Sequence, residues 1–137
     1  MSAYPRGGNV TAYQSVATHG RVAAADPHRL IVMLMDGALE RVAAARGCIK
    51  NKAFVDKSRL IHRAVAILDQ LSISLDMDAG GEIAGNLNGL YDYMCRQLLK
   101  ASVENDVDAL DEVLKLLHQI RSAWLTIPKQ SSAAQLT

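Results

Sequence analysis

The sequence predicts an all-α protein, an antiparallel up-and-down four-helix bundle with a short N-terminal helix. Three observations predict it. Apolar residues recur at helical spacing in five segments, each bounded by cap or breaker residues. No segment alternates as a half-buried strand does, and the connections are short enough to make successive helices antiparallel neighbours. With 137 residues the chain is a single domain, long enough to bury a core without disulfides or metals. Residues 1–9, with Pro5, Gly7 and Gly8, read as a flexible N-terminus, residues 10–127 as the bundle and residues 128–137 as a flexible tail.

The first helix, over residues 10–18, puts Val10, Tyr13, Val16 and Ala17 on one face and ends at Gly20. Helices this short are marginal in water, so it must dock or fray. Asp26-Pro27 opens the second, with an N-cap acceptor ahead of a proline whose missing N–H costs nothing at the first helical position. Its inner stripe is read as Ile31, Leu34, Ala38, Val42, Ala45 and Ile49, with Leu30, Met33, Gly37 and Ala44 on a second, partly apolar side. The third helix starts at Phe54 or Asp56 and ends near Leu75, with Leu60, Ile61, Ala64, Val65, Leu68, Leu71 and Leu75 inward. Asp78-Ala79-Gly80-Gly81 separates it from the fourth, which runs from Glu82 to about Ser102 with Ile83, Leu87, Leu90, Tyr91, Met94 and Leu98 as its stripe. Gly85, Asn86, Asn88 and Gly89 make the first half of that helix poor in propensity. The fifth follows Asn105-Asp106, presents Leu110, Val113, Leu114, Leu117, Ile120 and Trp124, and stops at Ile127-Pro128.

Fifteen Lys and Arg against 14 Asp and Glu give a net charge of +1 with the signs mixed along the chain, so no nucleic-acid or anionic-membrane face is announced. Cys48 and Cys95 lie in apolar helical stretches without a CxxC pattern and read as buried thiols of a reducing compartment. The N-terminus lacks an apolar signal segment, which points to the cytoplasm. A di-iron bundle needs Glu-x-x-His pairs, and no Glu here has a His three residues later. Asp76-x-Asp78 lacks the spacing and the later bidentate Glu of a calcium loop. His19, His28, His62 and His118 have no adjacent nucleophile and orienting carboxylate, and no phosphate-binding loop is present. The expectation is a protein that is no enzyme and needs no metal or other cofactor.

The most informative stretch is Leu30-Ile31-Val32-Met33-Leu34-Met35. At about 100° per residue, six consecutive apolar residues cover the whole circumference of a helix, whereas one core takes one stripe. The run is far short of the roughly 18 to 20 residues that cross a bilayer, so a protein surface must cover the remainder. Either the bundle's own helices do so, or the run lines a groove for an apolar helix of a client, a role to which flexible Met33 and Met35 are suited. Tyr13, on a weak helix beside a glycine, reads either as a plug for that groove, with Val16, or as an ordinary staple onto the bundle. Tyr91 and Trp124 read as core aromatics with polar tips at the surface. A permanent homodimer sealed by the second apolar face is the rival reading.

Four collinear pieces between Ala12 and Trp124 carry a resemblance to a known family. They are Ala12-Tyr13-Gln14; Asp26-Pro27-His28-Arg29-Leu30-Ile31 with Met33-Leu34 and Asp36-Gly37-Ala38-Leu39; Gly80-Gly81-Glu82-Ile83-Ala84 with Asn86-Leu87, Leu90-Tyr91 and Tyr93-Met94; and Arg121 with Ala123-Trp124. Together they resemble the flagellar secretion chaperone family FliS. The resemblance implies a cytoplasmic, non-enzymatic chaperone that binds the disordered C-terminal segment of flagellin, blocks premature polymerisation and aids delivery to the flagellar type III export gate. It also implies that the client's segments fold as helices along apolar surfaces, and that the N-terminal segment holding Tyr13 occupies part of those surfaces when no client is bound. Leu30, Ile31, Met33, Leu34, Leu87, Tyr91 and Met94 are the candidates for contact with the client or for support of its groove. Met35 departs from the pattern, because many members carry Tyr before the Asp-Gly; Ser102-Val103-Glu104 departs from the commoner Ala-Asn helix ending.

Overall fold

The computed structural model describes residues 26–127. The expected helix over residues 10–18, with Tyr13 and Val16, and the expected terminal segments lie outside the described residues. Within them are four helices: α1 (Pro27–Lys50), α2 (Phe54–Ile73), α3 (Met77–Glu104) and α4 (Val107–Leu125). The chain divides into two compact units, Met1–Ile31 and Val32–Thr137. Of the first, the described part is the start of α1, where the Asp26 carboxylate accepts the backbone N–H of Arg29 at 3.1 Å, the cap that Asp26-Pro27 predicts.

In the second unit, polar contacts set which helices are neighbours. At the start of α2, Lys57 donates from Nζ to the Ser102 carbonyl (2.6 Å) and to Asn105 Oδ1 (2.9 Å) at the end of α3. Tyr93 and Gln97 of α3 donate to the carboxylate of Glu112 on α4. Two ion pairs then join the first helix to the last: Arg121 Nε to Asp36 Oδ1, and Arg46 Nε to Asp111 Oδ1, both at 2.6 Å. Early residues of α1 meet late residues of α4 and the reverse, so these helices are antiparallel and the up-and-down order closes on itself. The Asp111 hydrogen bond and charge hold the Arg46 guanidinium above its ordinary pKa.

The core contains Met35, Ala38, Leu39, Val42 and Ala45 from α1; Ile61, Ala64, Leu68 and Leu71 from α2; Tyr91, Met94 and Leu98 from α3; and Leu110, Val113, Leu117 and Trp124 from α4. Most of the predicted stripes are therefore buried. On α1 the stripe has a different phase: Met35, assigned to neither side by the sequence, is 1% exposed, whereas Leu34 is half-buried. Steps of four, three and three residues connect Met35, Leu39, Val42 and Ala45 on one face, and Leu34 lies 100° away from Met35. Ile83 and Leu90, predicted to point inward, are 62% and 36% exposed. Both cysteines are free and half-buried rather than buried.

The predicted separator at residues 78–81 is a local break instead of a loop. Asp76 caps a first turn of α3 by accepting the Ala79 N–H at 2.9 Å. Gly81 then takes φ 55° and ψ −130° before the helix resumes at Glu82. Such a backbone is open to glycine and strained for residues carrying a Cβ. At the other end of α3, Asn105 adopts the left-handed conformation that terminates many helices.

Lys57 is an ionisable residue that apolar periodicity does not place inside, yet it is 5% exposed. Its ammonium satisfies the Ser102 carbonyl and the Asn105 amide at the negative end of the α3 dipole, with the Phe54 ring 5.5 Å away. A second polar contact on the α2–α3 seam is Cys95 Sγ to Asp69 Oδ1, at 3.9 Å. Burial, reinforced by the charges of Asp69 and Asp92, pushes this thiol up to about 11.

Three outcomes follow for urea unfolding. Gly81→Ala costs about 1–3 kcal/mol through backbone strain, whereas Gly85→Ala, a helical position with nothing within 4 Å of an added Cβ, gains about 0.5–1 kcal/mol. Lys57→Met costs about 1–3 kcal/mol, because it removes two hydrogen bonds of a buried ammonium and strips the part-buried Ser102 carbonyl of its donor. The folded chain holds the Cys95 proton more tightly than the unfolded chain, so that contribution is complete below the ordinary thiol pKa of 9.0 and is lost as pH rises toward about 11. The unfolding midpoint of Cys95→Ala, followed against pH, falls less steeply across that window than the parent's.

Candidate functional site

The antiparallel order brings the start of α1, the end of α2, the start of α3 and the end of α4 to one end of the bundle. At that end the second unit exposes large apolar side chains from every helix: Met33 (56%), Ile73 (78%), Met77, Ile83 and Leu125. Large apolar side chains are costly to leave in water and mark a candidate partner surface; the opposite end also exposes Phe54, Val55, Leu99 and Val103, but from α2 and α3 only, whereas this end draws on all four helices. The break at Gly81 allows its geometry, by letting the first turn of α3 carry Met77 along a direction different from that of the helix behind it.

The predicted site residues separate into two groups. Met33 is exposed, and Leu34 and Leu87 are half-buried. Tyr91 and Met94 are buried, at 3% and 0%, so they stand behind the surface as packing and do not line it. In the first unit, Leu30 is 38% exposed and Ile31 is buried. Burial pushes the Tyr91 phenol up to about 12, and its hydroxyl has no hydrogen-bond partner among the described residues. The expected polar tip at the surface is therefore absent for Tyr91. The neighbouring Tyr93 keeps its hydroxyl on Glu112, and that hydrogen bond raises its pKa.

Sequence reasoning missed Ile73, Met77 and Leu125 as members of this surface. Ile73 follows the core residue Leu71 by two positions, about 200° around the helix, which places it outside the stripe. An apolar residue off the stripe near a helix end was the available signal.

No cluster of His, Cys, Asp and Glu able to hold a metal occurs among the described residues. None of the described helices is long and apolar enough to cross a membrane. The surface offers apolar area and a few hydrogen-bonding groups, which suit the binding of another polypeptide.

Two of the sequence pieces that carry the family resemblance meet in space. Asp36, of the Asp-Gly-Ala-Leu piece, pairs with Arg121, of the piece ending in Trp124, although 85 positions separate them.

Comparison with known proteins agrees with this arrangement. The family model for the flagellar protein FliS matches residues 9–131. The chain is 46% identical over 112 residues to the flagellar secretion chaperone FliSB of Pseudomonas aeruginosa, covering 82% of this chain and 89% of that protein. It is 42% identical over 124 residues to the flagellar secretion chaperone FliS of Salmonella typhimurium, covering 90% and 92%. The fold is similar to that of a solved bacterial flagellar chaperone, with a TM-score of 0.70 at 16% identity, covering 86% of this chain and 95% of that one. The agreement of family model, relatives and bundle leads to one conclusion: this chain belongs to the FliS family of flagellar proteins.

Proposed function

We propose that this chain is a cytoplasmic flagellar secretion chaperone that binds the disordered C-terminal region of flagellin, prevents its premature polymerisation and assists its delivery to the type III secretion apparatus. The relatives are flagellar secretion chaperones by name, which supports the general role. The observation that carries the finer reading is the apolar end of the bundle, where Met33, Ile73, Met77 and Ile83 are about half exposed or more. A disordered client loses about 2–5 kcal/mol of conformational entropy on ordering, so it needs a broad apolar surface to bind usefully. Side chains from all four helices offer such a surface to helices that form on binding. Met33 and Met77 suit it further, since a thioether adapts to varied partner shapes.

In this reading Leu30, Met33, Leu34 and Leu87 contact the client or flank it, while Ile31, Tyr91 and Met94 hold the surface from behind. Tyr13 and Val16, on the preceding segment, cover part of it until the client arrives. Residues 10–127 then form the working domain, and the client-bound form is the one that engages the export gate. The chemistry is binding alone, with no catalysis and no cofactor.

Titration calorimetry with a flagellin C-terminal segment tests the reading. Binding is expected at micromolar concentrations, with a shift in elution volume. Met33→Asp places a charge on the exposed surface without touching the core and is expected to weaken binding about tenfold or more. No heat and no shift would overturn the proposal. So would a dimer that persists on dilution and ignores flagellin, as measured by light scattering.

A further inference from the structure

A second surface lies on the α1–α2 edge, and it is basic. Glu40, Arg41 and Ala44 of α1 with Arg59, Leu60 and Arg63 of α2 line an open groove of about 360 Å³. The arginines of the α1–α4 edge, Arg46 and Arg121, are each spent on a carboxylate of the facing helix. On the α1–α2 edge, Arg59 pairs with Asp56 of its own helix, while Arg41 and Arg63 have no carboxylate partner among the described residues. Glu40, in the same groove, lies within pairing distance of neither.

Arg41 is held ready for a ligand. Its Nη1 donates to the Gly37 carbonyl at 3.0 Å, which lays the guanidinium back along its own helix. A Cβ at Gly37 would stand 3.3 Å from that nitrogen, a tight contact that glycine spares the guanidinium, and at an ordinary 3.5 Å from Ile67 Cδ1 on α2. The other N–H groups of the fork stay free for an acceptor.

Charge is also divided between the halves of the bundle. Residues 32–73 carry seven Lys and Arg against four Asp and Glu, whereas residues 76–127 carry four against nine. The near-neutral total conceals a bundle with a basic α1–α2 half and an acidic α3–α4 half. This imbalance gives the groove a positive surrounding that its own lining would supply only in part.

We infer that the α1–α2 groove docks a short acidic segment of a partner protein, one that presents carboxylates on successive helical turns around an apolar side chain. Carboxylates fit the forks of Arg41 and Arg63, and the apolar side chain fits Ala44 and Leu60 on the groove floor. The groove has no aromatic side chain on which bases could stack. The partner is therefore an acidic polypeptide and not a nucleic acid. This surface is separate in chemistry from the apolar end proposed above, so the failure of either reading leaves the other intact.

The test uses the full chain and a labelled helical peptide of about a dozen residues with Glu at i and i+4 and Leu at i+3 and i+7, set against a twin carrying Gln for each Glu. Fluorescence anisotropy is expected to show binding of the Glu peptide that weakens about tenfold between low salt and about 0.3 M salt. The double variant R41Q/R63Q is expected to weaken it about tenfold, with its circular dichroism unchanged, because both side chains leave the core untouched. Arg96→Gln, on α3, leaves binding as it was. Equal binding of the Gln twin, tighter binding of single-stranded DNA, or indifference to the double variant would overturn the inference. Salt-sensitive self-association abolished by Arg63→Glu would also overturn it, by making the acidic half of a second copy the occupant.

Discussion

A helix can turn only part of its circumference toward one core, and α1 carries apolar residues around all of it. That geometric limit governs the molecule. The core takes Met35, Ala38, Leu39, Val42 and Ala45, which share one face, and it leaves Met33 in water. α1 cannot roll to hide Met33 without exposing Met35, because the two residues stand about 200° apart. Its roll is held further by Asp36 and Arg46, which pair with Arg121 and Asp111 of α4 near both ends of the shared interface. The exposed apolar surface is thus a consequence of how the core is filled.

The bundle treats its helix ends differently. At the end where α2 begins and α3 stops, polar groups are consumed locally: Lys57 donates to the Ser102 carbonyl and the Asn105 side chain, and Asp106 caps α4 at the Ala109 N–H. At the other end, Gly81 interrupts α3 and apolar side chains from all four helices remain uncovered. Gly85 and Gly89 follow the break in helical geometry that alanine would serve better, with open space where a Cβ would stand. One end combines these hydrogen bonds with exposed Phe54, Val55, Leu99 and Val103, while the other exposes apolar side chains from all four helices beside a glycine-interrupted helix start.

Much of this was legible in the sequence. Asp26-Pro27, Asp106 and Ile127-Pro128 marked helix limits through local chemistry that no tertiary contact alters, and the α2 and α4 stripes were readable from spacing alone. The site was legible in part. Met33 stood out because the run around it has no polar face, but Tyr91 and Met94 could not be assigned to lining or support, since periodicity gives the direction of a side chain and not the depth of its neighbours. Ile73 and Met77 were harder to place on the surface, because an apolar residue off the stripe near a helix end has only that position, and no periodic context, to mark it. Lys57 was missed for the opposite reason: its burial depends on acceptors 45 and 48 positions away.

The sequence by itself determined the helices, their order and the surplus of apolar surface, because caps, breakers and the 3.6-residue period act within a few positions of each residue. The tertiary structure alone decided the phase of the α1 stripe, the pairing of Asp36 with Arg121, and the burial of Lys57 against Ser102 and Asn105. Each of these depends on which helix lies beside which, and that adjacency is a property of packing in three dimensions.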